Sequence, residues 1–245
     1  MVSMRRSSLV SLCFVILMSS SASFGKFNAL SPAGPKQAVA FAAQGNALMD
    51  IVVPASPSAA EILAAEELKE HLDRITGGSF QIVRDDTEVT SRFISIGMTA
   101  QARQAGLEDV TRQLRPQGLA VKPLGSNVYL LGGPDGILNA AVALLEEDAG
   151  CRWYSHNWQY IPRDENLTIQ VADRVSNPDF EKRFVFTAPE MSSSPIWTRR
   201  NRVMQWNKFD HVDDWFCHTY DKICPMDDFK ARPDLFAKQP DGTPF

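Results

Sequence analysis

The chain has 245 residues, of which 44% are apolar and 22% charged, and it carries a net charge of −4. Its cations are outnumbered and scattered, which argues against a nucleic-acid partner, because phosphate binding needs grouped Lys and Arg. After Met18 every apolar stretch is broken by charge within a few residues, so nothing approaches the roughly 20 residues that a membrane-spanning helix takes.

At the start, Arg5 and Arg6 precede an apolar run from Leu9 to Met18 and then the small residues Ser19 to Ser23. That order is the layout of a secretory signal. The run is too short for an anchor, and Cys13 within it has no small-residue box before it, so no lipid anchor is expected. Residues 1–25 are read as a signal peptide, cleaved after Ala22 or Gly25, and the mature chain as secreted or periplasmic. Residues 26–47, rich in Ala, Gly, Pro and Gln without sustained periodicity, read as a loose leader.

Asp50 to Val53, closed by Pro54, is a β-branched run that predicts a strand. Ser58 and Glu61 form a capping box at the start of a helix. In it Ile62, Ala65, Leu68, Leu72 and Ile75 recur on one face, while Glu66, Glu67, Lys69, Glu70 and Asp73 point away. Gly77 and Gly78 stop it with a left-handed cap. Phe80 to Val83 and Phe93 to Gly97 predict strands, and Thr99 to Ala105 a short helix. Gly118 to Lys122 and Val128 to Leu131 predict a hairpin across a Gly/Asn turn. A second helix carries Ile137, Ala140, Ala141, Leu144 and Leu145 on one face and ends at Gly150. Cys151 to Tyr154 and Leu167 to Val171 complete the strands. Two amphipathic helices among short strands predict an α/β (α+β) two-layer sandwich, a mixed sheet covered by helices on one face, over residues 48–176. From Asn177 the periodicity fades, and residues 177–245 read as a second unit.

Gly132-Gly133-Pro134-Asp135-Gly136 sits between a strand and a helix, where a phosphate loop would. It lacks the GxGxxG spacing and a lysine, so a tight turn is the better reading, and no cofactor is expected. With no CxxC, a zinc site is not expected either. Cys217 and Cys224 are close enough in sequence to pair in an oxidising compartment, leaving Cys151 odd; three buried thiols fit as well. His71 falls on the polar side of its helix and reads as solvated; His156, beside Trp153, Tyr154 and Trp158, reads as an ordinary loop residue, with a groove wall as the alternative. Trp197, Arg199, Asn201, Arg202, Trp206 and His218 combine flat apolar faces with hydrogen-bond donors, the chemistry that holds sugars. A plain aromatic-rich packing segment is the alternative. The aspartates between 210 and 228 crowd together, but the carboxyl spacing that glycoside hydrolysis needs is invisible in sequence.

Four segments occur in order: Ala64-Ala65-Glu66-Glu67-Leu68-Lys69-Glu70-His71-Leu72, Ile94-Ser95-Ile96-Gly97, Leu131-Gly132-Gly133-Pro134-Asp135-Gly136, and Leu144-Leu145-Glu146-Glu147-Asp148-Ala149-Gly150-Cys151-Arg152-Trp153-Tyr154. Together they resemble the non-catalytic N-terminal domain of α-glucuronidases and β-hexosaminidases, in the setting of large secreted bacterial proteins that carry a DUF4838 region. Trp197 to Arg202 and Phe229 to Ala237 are similar to the segment that leads into that region. The resemblance implies an accessory domain in a poly- or oligosaccharide context, ahead of a (β/α)8 barrel that holds the catalytic carboxylates. A barrel takes about 250 residues. Residues 177–245 are therefore expected to be only the incomplete start of a barrel-like region, with no catalytic residue in this chain and the C-terminal barrel missing. A complete carbohydrate-binding or structural surface protein without hydrolytic activity is the competing expectation.

Overall fold

The computed structural model describes residues 34–89, 92–180, 183, 185, 194–203 and 225–243. Strands β1 (Lys36–Ala40), β2 (Ala42–Ala43) and β3 (Asn46–Ala47) come first, inside the stretch expected to be a leader. That expectation is corrected from Lys36 onward: Val39 and Phe41 are buried, and the Phe41 N–H donates to the carbonyl of Leu167 at 2.8 Å. The segment is a strand because a remote partner makes it one, and strand formation depends on cross-strand packing more than on local preference.

The main sheet begins with β4 (Asp50–Val53), which leads through α1 (Ala59–Thr76) to β5 (Ile82–Arg84) and then β6 (Phe93–Ile96). Two short helices follow, α2 (Ala100–Gln104) and α3 (Glu108–Arg112). The hairpin β7 (Leu119–Leu124) and β8 (Asn127–Gly132) precedes α4 (Ile137–Ala143), whose last turn widens into a π-turn at Leu144–Asp148. A second hairpin, β9 (Arg152–Ser155) and β10 (Trp158–Tyr160), and the strands β11 (Thr168–Ala172) and β12 (Arg174–Ser176) complete the body. The spatial order of the six-stranded sheet is β12-β7-β8-β6-β4-β5. Its β5, β4, β6 and β8 run parallel, and β7 and β12 are antiparallel to their neighbours. β1 pairs with β11 along its whole length, Val39 opposite Ile169.

The pleat sorts side chains by parity. Ile51, Val53, Ile94, Ile96, Val128 and Leu130 face α1 and α4 in the larger core, while Val52, Phe93, Tyr129 and Leu131 face α2 and α3 in a smaller one. The architecture is thus a mixed sheet covered by helices, with the two long helices on one face as expected and two single-turn helices on the other.

In α1 both halves of the capping box form: Ser58 Oγ accepts from the Glu61 N–H at 3.2 Å and Glu61 Oε2 accepts from the Ser58 N–H at 2.7 Å. Gly77 ends the helix at φ 75°, a left-handed conformation open to glycine without a Cβ penalty. Ile62, assigned to the core face from sequence, is 44% exposed. The other four expected core residues, Ala65, Leu68, Leu72 and Ile75, are buried, and Ala64, His71 and Glu67, the last expected to point away, are buried with them. His71 is fully buried, which corrects its reading as a solvated residue. Hydropathy gives an imidazole to the polar side, whereas spacing gives position 71 to the core. Leu68→Ala is expected to cost about 2–5 kcal/mol in urea unfolding, and Ile62→Ala to stay within about 0.5 kcal/mol.

Candidate functional site

After the body, Ser194 caps a short helix, α5 (Pro195–Arg200), its Oγ accepting from the Trp197 N–H at 3.2 Å. The helix lies against α4 and β9, with Trp197 and Thr198 buried. Its last residue, Arg200, forms a close ion pair with the buried Glu67, approaches Glu70 at 3.5 Å and donates to Gln159 Oε1 at 3.2 Å. The guanidinium also sits 5.7 Å from the centroid of the Trp153 ring, within cation–π range.

Trp153 is held from the other side by His71. Its indole N–H donates to His71 Nε2 at 3.3 Å, and the two rings meet edge-on at 5.4 Å. Nε2 is therefore an acceptor, so the ring proton resides on Nδ1, which donates to the Glu67 carbonyl at 2.8 Å. Burial holds the imidazole below its ordinary pKa of 6.5, outweighing the Glu67 carbonyl and carboxylate, which favour the charged form. His71 is thus a neutral spacer between α1 and β9, with both nitrogens in use.

A second clamp lies on the π-turn, where Glu146, Glu147 and Asp148 present three successive carboxylates. Arg174 pairs closely with Asp148 and reaches Glu147 at 2.9 Å. Arg202, just beyond α5, reaches Glu146 at 2.6 Å and Glu147 at 2.7 Å. Burial pushes the Glu146 and Asp148 carboxyls above their usual range, and Arg202 and Arg174 respectively oppose that rise. Arg202 has φ 54°, an uncommon backbone for a residue with a side chain, held there by its two ion pairs.

The structure places the proposed sugar-binding residues as follows. Trp197 is buried, and its indole nitrogen has no partner among the described residues. Arg199 stands 4.0 Å from Glu67, with its Nε likewise unpartnered. Asn201 donates to the carbonyls of Trp197 at 2.9 Å and Trp153 at 3.4 Å. With Arg202 on the π-turn, the four converge on the joint between α5 and the body. Trp206, His218, Cys217 and Cys224 lie outside the described residues. Cys151 is buried, its thiol pushed up to about 12 chiefly by burial.

The groove weighed for His156 beside Trp153 and Trp158, and set below a plain loop reading, is present in the structure. On the β9–β10 hairpin Trp153 is buried, whereas Tyr154, Trp158 and Tyr160 are 51%, 66% and 54% exposed. Beside them a cleft of about 160 Å³ is lined by Trp153, Ser155, His156, Asn157, Trp158 and Gln159, and closed by Ile196, Trp197 and Arg200 of α5. The cluster of aromatics Trp153, Tyr154, Trp158 and Tyr160 was visible in sequence, but the second strand of the hairpin, Trp158–Tyr160, was not.

A second cleft, of about 250 Å³, opens at the C-terminal ends of the parallel strands, between Ser58, Glu61, Gly97, Met98 and Gly132 to Pro134. Glu61 brings a carboxylate to its wall, which repels an anionic phosphate. The glycines of the neighbouring loop answer a packing need: a Cβ on Gly133 would strike the Arg115 carbonyl, and one on Gly136 the Gly118 carbonyl. This supports the tight-turn reading of that loop.

Glu67, Glu70 and His71 bring three ligand atoms within 4.8 Å of one another. The donor set does not fit a metal ion. Both His71 nitrogens are hydrogen-bonded, the Glu67 carboxylate is paired with Arg200, and Arg199 adds a second positive charge beside it.

No family model matches the chain, and no curated protein matches it. Among solved structures, it is similar to an N-acetyl-β-hexosaminidase from Streptomyces plicatus in complex with Thio-NAglucal, at 9% identity and TM-score 0.37, over 64% of this chain and 26% of that one. It is also similar to a GH20 exo-β-N-acetylglucosaminidase from Vibrio harveyi, at 14% identity and TM-score 0.35, over 63% of this chain and 20% of that one. A GH138 enzyme targeting pectin rhamnogalacturonan II is similar at 16% identity and TM-score 0.27, over 40% of this chain and 10% of that one. This chain thus spans about a quarter or less of each, and likenesses at such scores transfer neither substrate nor mechanism. Among the described residues no helix is long and apolar enough to cross a membrane.

Because the folded pKa of His71 lies below its unfolded value, the unfolded state takes up the proton first on acidification. The stability that neutral His71 contributes is complete above its ordinary value of 6.5 and is lost as pH falls from there through the folded value. Urea midpoints measured from about pH 7.5 down to about 5.5 are expected to fall in the natural chain, and His71→Gln to flatten that fall. Alkylation at about pH 8 followed by peptide mapping is expected to leave Cys151 unmodified until denaturant is added, since only the thiolate reacts.

Proposed function

We propose that residues 48–176, with the β1 ribbon now added to them, form the non-catalytic accessory domain of a secreted glycoside-hydrolase-like protein of polysaccharide metabolism. The domain is of the type that precedes the barrel in α-glucuronidases and β-hexosaminidases, within a DUF4838-type protein. Residues 177–245 begin the barrel-like region that follows. The observation that carries this reading is the joint: α5 is fixed to α1, the π-turn and the β9–β10 hairpin by Arg200 with Glu67 and by Arg202 with Glu146 and Glu147. Groups that could transfer protons are committed there to fastening one segment onto another, which is the work of a buttress. The ordered motifs and the signal-like N-terminus support the carbohydrate setting and export.

Export is tested by fusing residues 1–30 to a reporter that is active only outside the cytoplasm; retention of the reporter inside would sink that part. The buttress role is tested on the 245-residue chain. Arg200→Met leaves Glu67 buried without its partner, a change that costs about 3–5 kcal/mol. It is expected to speed proteolysis between residues 177 and 203, and Glu67→Gln in the same chain to restore part of the resistance. The chain is expected to release no reducing ends from soluble polysaccharides; sustained turnover would overturn the non-catalytic assignment.

The second reading, a stand-alone carbohydrate-binding protein, is favoured by one observation, the three exposed aromatic side chains of the β9–β10 hairpin.

A further inference from the structure

Large aromatic side chains left in water on a short hairpin mark a contact surface more often than scattered apolar residues do. On the β9–β10 hairpin Trp153 is turned inward against His71, whereas Tyr154 and Trp158 stand exposed. Their rings lie 4.8 Å apart between centroids and are tilted by 44°. A tilted pair makes a shallow apolar angle that one flat ligand face can enter. The register shift between Trp158 and Gln159 brings Trp158 to the wall of the cleft as well.

That cleft, at about 160 Å³, is below the about 300 Å³ where pockets for drug-sized ligands begin. Its lining holds the Arg200 guanidinium, an imidazole, two amides and a hydroxyl, and no carboxylate is part of it. Arg200 is already paired with Glu67. Ser155 Oγ donates to Asn157 Oδ1 at 2.8 Å, which fixes the turn while the Asn157 NH2 keeps no partner among the described residues. His156 also makes no hydrogen bond among them. Flat apolar rings beside amide and imidazole hydrogen-bonding groups suit a ligand with an apolar CH face and a rim of hydroxyl groups.

We propose that the β9–β10 hairpin is a carbohydrate-contacting platform, in which one pyranose ring of an oligosaccharide lies on Trp158 and Tyr154 while its hydroxyls reach His156, Asn157 and Gln159. The inference deepens the carbohydrate setting proposed above, and it moves the contact from the α5 joint to the hairpin beside it. The joint has a supporting part: Arg200 donates to Gln159 at 3.2 Å and so orients one wall of the cleft.

The test is affinity gel electrophoresis of the 245-residue chain in gels containing β-glucan, polygalacturonate or glycol chitin as the probe. The natural chain is expected to be retarded by at least one of them. Trp158→Ala is expected to weaken that retardation by about tenfold in dissociation constant, Trp158→Phe to keep most of it, and Phe180→Ala, an exposed aromatic that does not line the cleft, to leave it unchanged. Trp158 is mostly exposed, so the variants retain the fold, which far-ultraviolet circular dichroism checks. A folded natural chain that no probe retards overturns the platform, and so does Trp158→Ala with natural retardation. Hairpin variants that alter self-association without any response to sugar assign the surface to protein contact and overturn it too. These results are separate from those on the buttress, since release of reducing ends and loss of protease resistance are read in other assays.

Discussion

The buried pair of Glu67 and Arg200 sets the terms for the rest of the molecule. An unpaired charge at that depth is strongly destabilising, so neither residue is tolerable without the other. Glu67 belongs to α1 and Arg200 to α5, which lie on either side of Ser176, the end of the last sheet strand. Pairing them requires that α5 come down on the body and that the space between them be filled. Trp153 and a neutral His71 fill it, and Gln159 and Asn201 bond across it.

The same economy explains the π-turn. Three adjacent carboxylates would repel one another at the end of α4, and burial raises Glu146 and Asp148 further toward the protonated form. Arg174 from β12 and Arg202 from beyond α5 neutralise them from two directions. Two clamps made of unrelated residues thus hold one short helix from two directions. The joint leaves the adjacent hairpin with Tyr154, Trp158 and Tyr160 in water.

The parts of the fold that local chemistry specifies were legible. The capping box at Ser58 and Glu61, the left-handed Gly77, the β-branched run of β4 and the turn between β7 and β8 each depend on residues within a few positions of one another. The parts that depend on distant partners were not. β1 is a strand because of β11, more than 120 residues away in sequence. His71 and Glu67 are buried because Trp153 and Arg200 arrive above them. The candidate sugar residues of α5 had the right chemistry for ligand binding, but that chemistry is also right for docking a helix, and a list of residue types does not distinguish the two.

Taken alone, the sequence determined the class of the fold, the two amphipathic helices with their stops, and a resemblance that sets an expectation of carbohydrate chemistry. Those follow from periodicity and capping, which act over one or two turns. Tertiary structure decided which polar residues are spent in ion pairs and which remain open to solvent: Arg200 and Arg202 inward, Tyr154 and Trp158 outward. Burial and pairing are properties of neighbours in space, and no spacing along the chain encodes them.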